Sequence, residues 1–285
     1  MLSSELAVER LEAAQISHGR GRGVPGVSYR RKRLHGIDVH SMTVETVHAA
    51  NILCKPRGNY HTISLGKVLR RQDEAFEDTV FCIASLIGSM IPKGEPVLLV
   101  CLGNRNITPD ALGPCCAENL MVTRHLKTRH PDLFEGYTST ALICPGVLGT
   151  TGIESAALVK GAVEAVQPRC VIAIDALAAQ STKRLATTIQ ICDTGLDPGA
   201  GVGNNRCALH RDSLGVPVIG IGVPTVVDAR AFADDSDEQG RGEGLFVTPR
   251  DIDSIITHSA KLLGYGINLA LHEDLTIGDM ELFLG

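Results

Sequence analysis

The chain has 285 residues, 44% of them apolar, with a formal charge of −5 and a pI near 6.1. That length and composition suffice for one large α/β domain with an ample core. The acidic balance excludes a general nucleic-acid or membrane-surface binder, because the average field attracts neither phosphate nor anionic lipid.

The first segment, SSELAVERLEAAQ, sets Leu6, Val8, Leu11 and Ala14 at roughly helical spacing behind Ser4 as N-cap. HGRGRGVPG cannot continue that helix. Arg20, Arg22, Arg30, Arg31, Lys32 and Arg33 then follow among glycines and a proline, which reads as a mobile basic segment. Residues 1–37 are therefore set apart from a single α/β domain over 38–285. GIDVHSMTV and NYHTISLG read as strands of a β-rich N-terminal appendage, joined through the turn chemistry of KPRG. AFEDTVFCIASLIGSMI is helical, with Phe76, Val80, Ile83, Ala84 and Ile87 on one face.

From Glu95 strands and helices alternate: strand 97–102, helix near 111–127, strand 139–144, helix 152–166, strand 170–174. This implies right-handed βαβ crossovers and an α/β fold with a mostly parallel, mixed sheet covered by helices on both faces. TTIQIC and PVIGIGV add strands, ADDSDEQGRGEG reads as an acidic loop, and a terminal helix spans 249–271 behind Thr248 as cap. The nine cysteines sit mostly in apolar runs, as Cys82, Cys101, Cys144, Cys170 and Cys192 do, the pattern of free buried thiols. Residues 1–15 lack a signal peptide's basic start and apolar stretch, and no segment is long enough to span a bilayer. A reducing, cytoplasm-like compartment is expected.

No HExxH, paired CxxC or GxSxG is present. GVLGTTGIE opens a helix after a strand, so backbone N–H groups near Gly149 and Thr150 can face an anion. It lacks the lysine of a phosphate loop, and GAGVGNN lacks the third glycine of a dinucleotide fingerprint, so tight turns are their plainer role. Two apolar runs, PVLLVCLGNRNITPDALGP and RCVIAIDALAAQS, each lead into an aspartate-bearing turn. They deliver Asp110 and Asp175 to strand C-terminal ends, where ligands gather in open α/β sheets.

Asp110 alone reads equally well as a helix cap. Asp175 ends a buried strand and must be hydrogen-bonded, paired or protonated. Together they permit an acid/base pair sharing one proton, or a divalent-cation site completed by Asn104, Asn106, Asp193 or a histidine. Asp193 and Asp228 read rather as caps or loop anchors. His125 and His130, five apart, do not share a helical face, and Cys115 is a thiol near the Asp110 turn without an evident histidine partner. A non-catalytic ligand-binding domain is a further reading, since fold does not fix function.

The series LGNRNITPDALGP, MVTRHL, PGVLGTTGIES, VIAIDALAAQS, TTIQICDTG, GAGVGNNR and GVPVIGIGVPTVVDA, followed by FVTPRDID and GINLALH, resembles the germination proteases of spore-forming bacteria. The resemblance covers most of the chain from about Asp38. It implies an endopeptidase that initiates degradation of small acid-soluble spore proteins, of aspartic type and related in fold to hydrogenase-maturation proteases. The family's two essential aspartates fall on Asp110 and Asp175, with Asn104, Asn106, Gly149, Thr150 and Asp193 expected to line the site. No cofactor is implied, and a divalent metal is the alternative, because carboxylates at comparable strand ends contact nickel in the related fold. The resemblance further implies a homotetramer in the forespore or spore core, without direct contact to nucleic acid or membrane. Family members are self-processed zymogens cut before a LAVE-like sequence, which here places cleavage between Glu5 and Leu6 with a shorter leader than is usual.

Overall fold

The computed structural model describes residues 4–17, 23–66, 75–92, 96–197, 199, 207–232 and 245–284. In chain order, α1 (Ala7–Ser17) precedes β1 (Val27–Leu34), β2 (Ile37–Val44), α2 (Val47–Leu53), β3 (Gly58–Ser64) and α3 (Phe76–Met90). Next come β4 (Val97–Cys101), α4 (Leu112–Ala117), α5 (Arg124–Arg129), β5 (Thr140–Ile143), α6 (Leu148–Thr151) and α7 (Ser155–Val166). The chain continues through β6 (Cys170–Ala179), β7 (Thr188–Cys192), α8 (Arg211–Leu214), β8 (Val218–Asp228), β9 (Phe246–Val247), α9 (Ile252–Leu271) and α10 (Ile277–Leu284).

One mixed sheet runs β1-β2-β3-β7-β8-β6-β4-β5, with β9 beside β8. β8, β6, β4 and β5 are mutually parallel, whereas β1, β2, β3, β7 and β8 pair antiparallel. The N-terminal strands are thus continuous with the α/β sheet. β4 is buried at every position and β6 at every position except Ala176, as expected of parallel strands covered on both faces. Alternation along β4 divides the core: Val97, Leu99 and Cys101 pack with α3, α4 and α9, and Leu98 and Val100 pack with Val159 and Val163 of α7. A third cluster joins α1 and α2 to β2 through Leu11, Leu53, Met42 and Val44.

The structure departs from the sequence reading where non-local contacts prevail. Over Val27–Leu34 the basic segment is a strand, not a mobile loop, paired in full register with β2. Its pattern gives no signal because its core positions Ser28–Arg33 are exposed; the hairpin turn His35–Gly36, both residues at positive φ, sets it. Arg20 and Arg22 lie outside the described residues, as do the acidic stretch 233–244 and most of GAGVGNN. A helix, α2, intervenes between the two strands that KPRG was expected to join, and Thr46 Oγ1 caps it by accepting from Ala49 N at 3.1 Å.

The single helix expected near 111–127 is two, α4 and α5. α9 starts at Ile252, and Thr248 Oγ1 donates to Thr225 O at 2.9 Å instead of capping it; α10 follows beyond the expected end. α1 begins at Ala7, and Ser4 Oγ accepts from Leu6 N and donates to Glu9. All nine cysteines are free, and Cys144 is exposed, not buried, because β5 is an edge strand that ends before it.

Candidate active site

Asp110 is placed by the turn that leaves β4. Leu102 N donates to Ile174 O at 2.8 Å, keeping the chain against β6 past the end of β4. Gly103 then adopts φ +114, and a Cβ there would lie 2.0 Å from Asp110 O, so the turn requires glycine. Asn104 N closes the loop on Asp110 O at 2.9 Å, and Asn104 Oδ1 accepts from Asn106 N at 3.0 Å. Asp110 ends a single 3-10 turn, Thr108–Asp110, pinned to β8 by Thr225 Oγ1 donating to Pro109 O at 2.7 Å. The N-cap position of α4 is Ala111, without a side-chain bond, and Asp110 lies one residue ahead of it.

Asp175 is 3% exposed and lies within β6, not at its end. The strand continues to Ala179 because β8 pairs with it that far, across a register shift at Leu177/Ala178. Asp175 Oδ1 accepts from Ala176 N at 2.9 Å. The two aspartates, 65 positions apart in sequence, line one cavity of about 350 Å³ together with Thr225, Phe246 and Thr248.

The buried Glu5 lines that same cavity. Glu5 N donates to Ala178 O at 3.1 Å, and Glu5 Oε2 accepts from Ala178 N at 2.6 Å. Its carbonyl oxygen accepts from Lys55 Nζ at 2.8 Å and from Gln190 Nε2 at 3.3 Å. Lys55 is half-buried, and burial pulls its pKa down, opposed by Cys192, Glu5 and Asp197. Glu9 secures the following helix, its carboxylate accepting from Gln180 N at 2.7 Å and Ser181 N at 2.9 Å.

The remaining expected site residues lie elsewhere. Asn104, Asn106 and Thr150 border an adjoining cleft with Arg105 and Cys144, and Gly149 is exposed beside Thr150 in α6. Asp193 clamps β3, its two carboxylate oxygens accepting from Asn59 N and Nδ2, each at 2.7 Å, which is the loop-anchor role. Burial pushes the Cys115 thiol up, which disfavours it as a nucleophile. Among the described residues no group of three or more His, Cys, Asp or Glu side chains is gathered so as to hold a metal ion. Lys55 and Gln190 escaped the sequence reading: Lys55 sat in apparent turn chemistry, whereas Gln190, a lone amide within TIQIC, carried a usable signal.

Residues 3–238 match the germination protease family. The chain is 40% identical over 313 aligned positions to the germination protease of Caldanaerobacter subterraneus subsp. tengcongensis, covering 96% of each chain. It belongs to the germination protease family. Other family members include those of Clostridium perfringens, 36% identical over 321 positions covering 99% of this chain and 98% of the relative, and of Bacillus subtilis strain 168, 35% identical over 350 positions covering 97% and 95%. As a germination protease the chain is an endopeptidase of aspartic type acting in spore germination. Among solved structures it is similar to the NiFe hydrogenase maturation protease HycI from Thermococcus kodakarensis KOD1, with a TM-score of 0.39 and 18% identity over 65% of this chain and 98% of that one. No helix among the described residues of this germination protease is long and apolar enough to cross a membrane.

Proposed function

We propose that Asp110 and Asp175 are the catalytic pair of this germination protease, sharing one proton across a water. The observation that carries this reading is the single cavity that both carboxyl groups line. Carboxylates in one site repel when both are ionised, which favours one proton between them at neutral pH. The ionised partner then serves as base toward water, and the protonated partner donates to the departing amide nitrogen. The substrates are small acid-soluble spore proteins, and the enzyme works without cofactor as a homotetramer in the spore core. It is made as a zymogen that cuts itself between Glu5 and Leu6; in support, Glu5 lines the aspartate cavity and is held there by four hydrogen bonds.

The substitutions Asp110→Asn and Asp175→Asn test the pair. Each is expected to lower kcat/KM on a spore-protein substrate by about 10²–10⁴-fold, the usual worth of general acid–base catalysis, with an unchanged circular dichroism spectrum. Activity retained in both variants would overturn the assignment. Enzyme stripped with EDTA is expected to cleave at the untreated rate; activity lost to the chelator and restored by a divalent ion would overturn the cofactor-free reading.

A further inference from the structure

Lys55 and Gln190 lie outside the aspartate pair, yet both direct a donor at the carbonyl oxygen of Glu5. Gln190 is 3% exposed, and its Oε1 also accepts from Ala7 N at 2.6 Å, so one carboxamide holds the chain on both sides of Leu6. Burying an amide, or half-burying a lysine, is costly unless the polar group finds a partner. Here both converge on the peptide bond that joins Glu5 to Leu6.

Sheet register relates this oxygen to the aspartates. Asp175 on β6 and Gln190 on β7 both pair with Gly222 on the intervening β8, so the three form one row and the two side chains share a face. Two strand spacings, about 10 Å, separate them. The residue between is a glycine, and a Cβ there would meet Leu177 Cγ at 2.5 Å. Glu5 borders the cavity containing Asp110 and Asp175 and also a second one lined by Lys55 and Gln190. Glu5 therefore lies between the cavity of the two aspartates and that of Lys55 and Gln190, and its carbonyl oxygen accepts from the latter two.

We propose that Lys55 and Gln190 are the oxyanion-stabilising donors for cleavage of the Glu5–Leu6 bond; this rests on the reading of that bond as the self-processing site. Water, losing a proton to one aspartate, forms a bond to the Glu5 carbonyl carbon, and the carbonyl π pair moves onto the oxygen that Lys55 and Gln190 contact. Return of that pair breaks the bond to the Leu6 nitrogen, which takes its proton from the other aspartate. One peptide and one water give one carboxyl group and one amine, and Lys55 ends as it began. Donors already aimed at the atom that gains charge need no reorganisation as the barrier is crossed.

The test follows the first-order release of the N-terminal leader from the full chain by intact-mass spectrometry, under conditions in which wild type processes. Lys55→Met is expected to slow release by about 10²–10³-fold, the usual cost of losing such a donor, and Lys55→Arg to restore most of the rate. Hydrogen exchange at Leu6, Ala7 and Ala178 is expected to stay as slow in Lys55→Met as in wild type, meaning that the segment is still docked. Processing of Lys55→Met at the wild-type rate would overturn the proposal alone. So would a loss of protection matching the loss of rate, since Lys55 would then be only an anchor. A wild-type product that does not begin at Leu6 would overturn the Glu5–Leu6 reading and the proposal with it.

Discussion

Cys144 illustrates how one residue's chemistry depends on neighbours that sequence separation hides. Val100 on β4 pairs with Ile143 on β5, so the next residues along, Cys101 and Cys144, are set side by side. A hydrogen bond with Cys101 brings the Cys144 thiol down to about 7, opposed by burial and assisted by Arg105. Burial pushes the nearby Cys116 thiol up. Because thiolate is the reactive form, iodoacetamide is expected to label Cys144 with a pH midpoint near 7 and to leave Cys116 unmodified in the native protein. Peptide mapping across pH 5–9 checks this, and a Cys144 midpoint above about pH 8.5, that of an ordinary thiol, would show that the Cys101 bond does not operate. The same logic applies to the aspartates: Asp175 is conspicuous in the sequence as a carboxylate after four apolar residues, whereas Asp110, ahead of ALGP, reads there equally well as a cap.

At the scale of elements, the break between α4 and α5 is decided by a distant side chain. Asn268 of α9, fully buried, accepts from Met121 N at 3.0 Å and donates to Asn119 O at 2.9 Å, satisfying backbone groups that a continuous helix would have paired internally. Thr123 completes the exit, its N donating to Thr140 Oγ1 at 3.0 Å beside β5. Asn268→Leu leaves two partly buried backbone groups without these partners and is expected to cost about 1–3 kcal/mol in urea denaturation. A loss below about 0.5 kcal/mol, within the range of ordinary surface substitutions, would mean that the break holds by itself. α9 also carries Gly266, where a Cβ would meet Ile83 Cγ2 at 2.4 Å; the glycine gives up roughly 1 kcal/mol of helix propensity and admits α3 at close range. β6 shows the complementary effect, since pairing with β8 extends it five residues past Ile174, where the apolar run ends.

For the whole molecule, the antiparallel extension leaves β1 as a terminal strand whose outer residues include Arg30, Arg31, Lys32 and Arg33. Arg31 and Arg33 both reach Asp38 on β2, at 2.8 and 3.1 Å. Charge on an edge strand discourages pairing with another sheet, so the basic run is explained by its position in the sheet. Replacing Arg30 and Lys32 with valine is expected to produce concentration-dependent association beyond the wild-type assembly, read by light scattering; an unchanged particle size would exclude this protective role. The sequence by itself determined the α/β class, most of the strands and helices, the family, and Asp110 and Asp175 as the residues to examine, because apolar periodicity and turn chemistry are local and the motif series is specific. Only the tertiary structure decided that β1 is a strand, that α4 and α5 are separate, and that Glu5, Lys55 and Gln190 meet beside the aspartate cavity. The β1 hairpin follows from a turn that its exposed basic residues do not announce, whereas the break between α4 and α5 and the meeting at Glu5 depend on hydrogen bonds between segments 50 to 185 residues apart, such as Lys55 and Gln190 to Glu5, which no local pattern encodes.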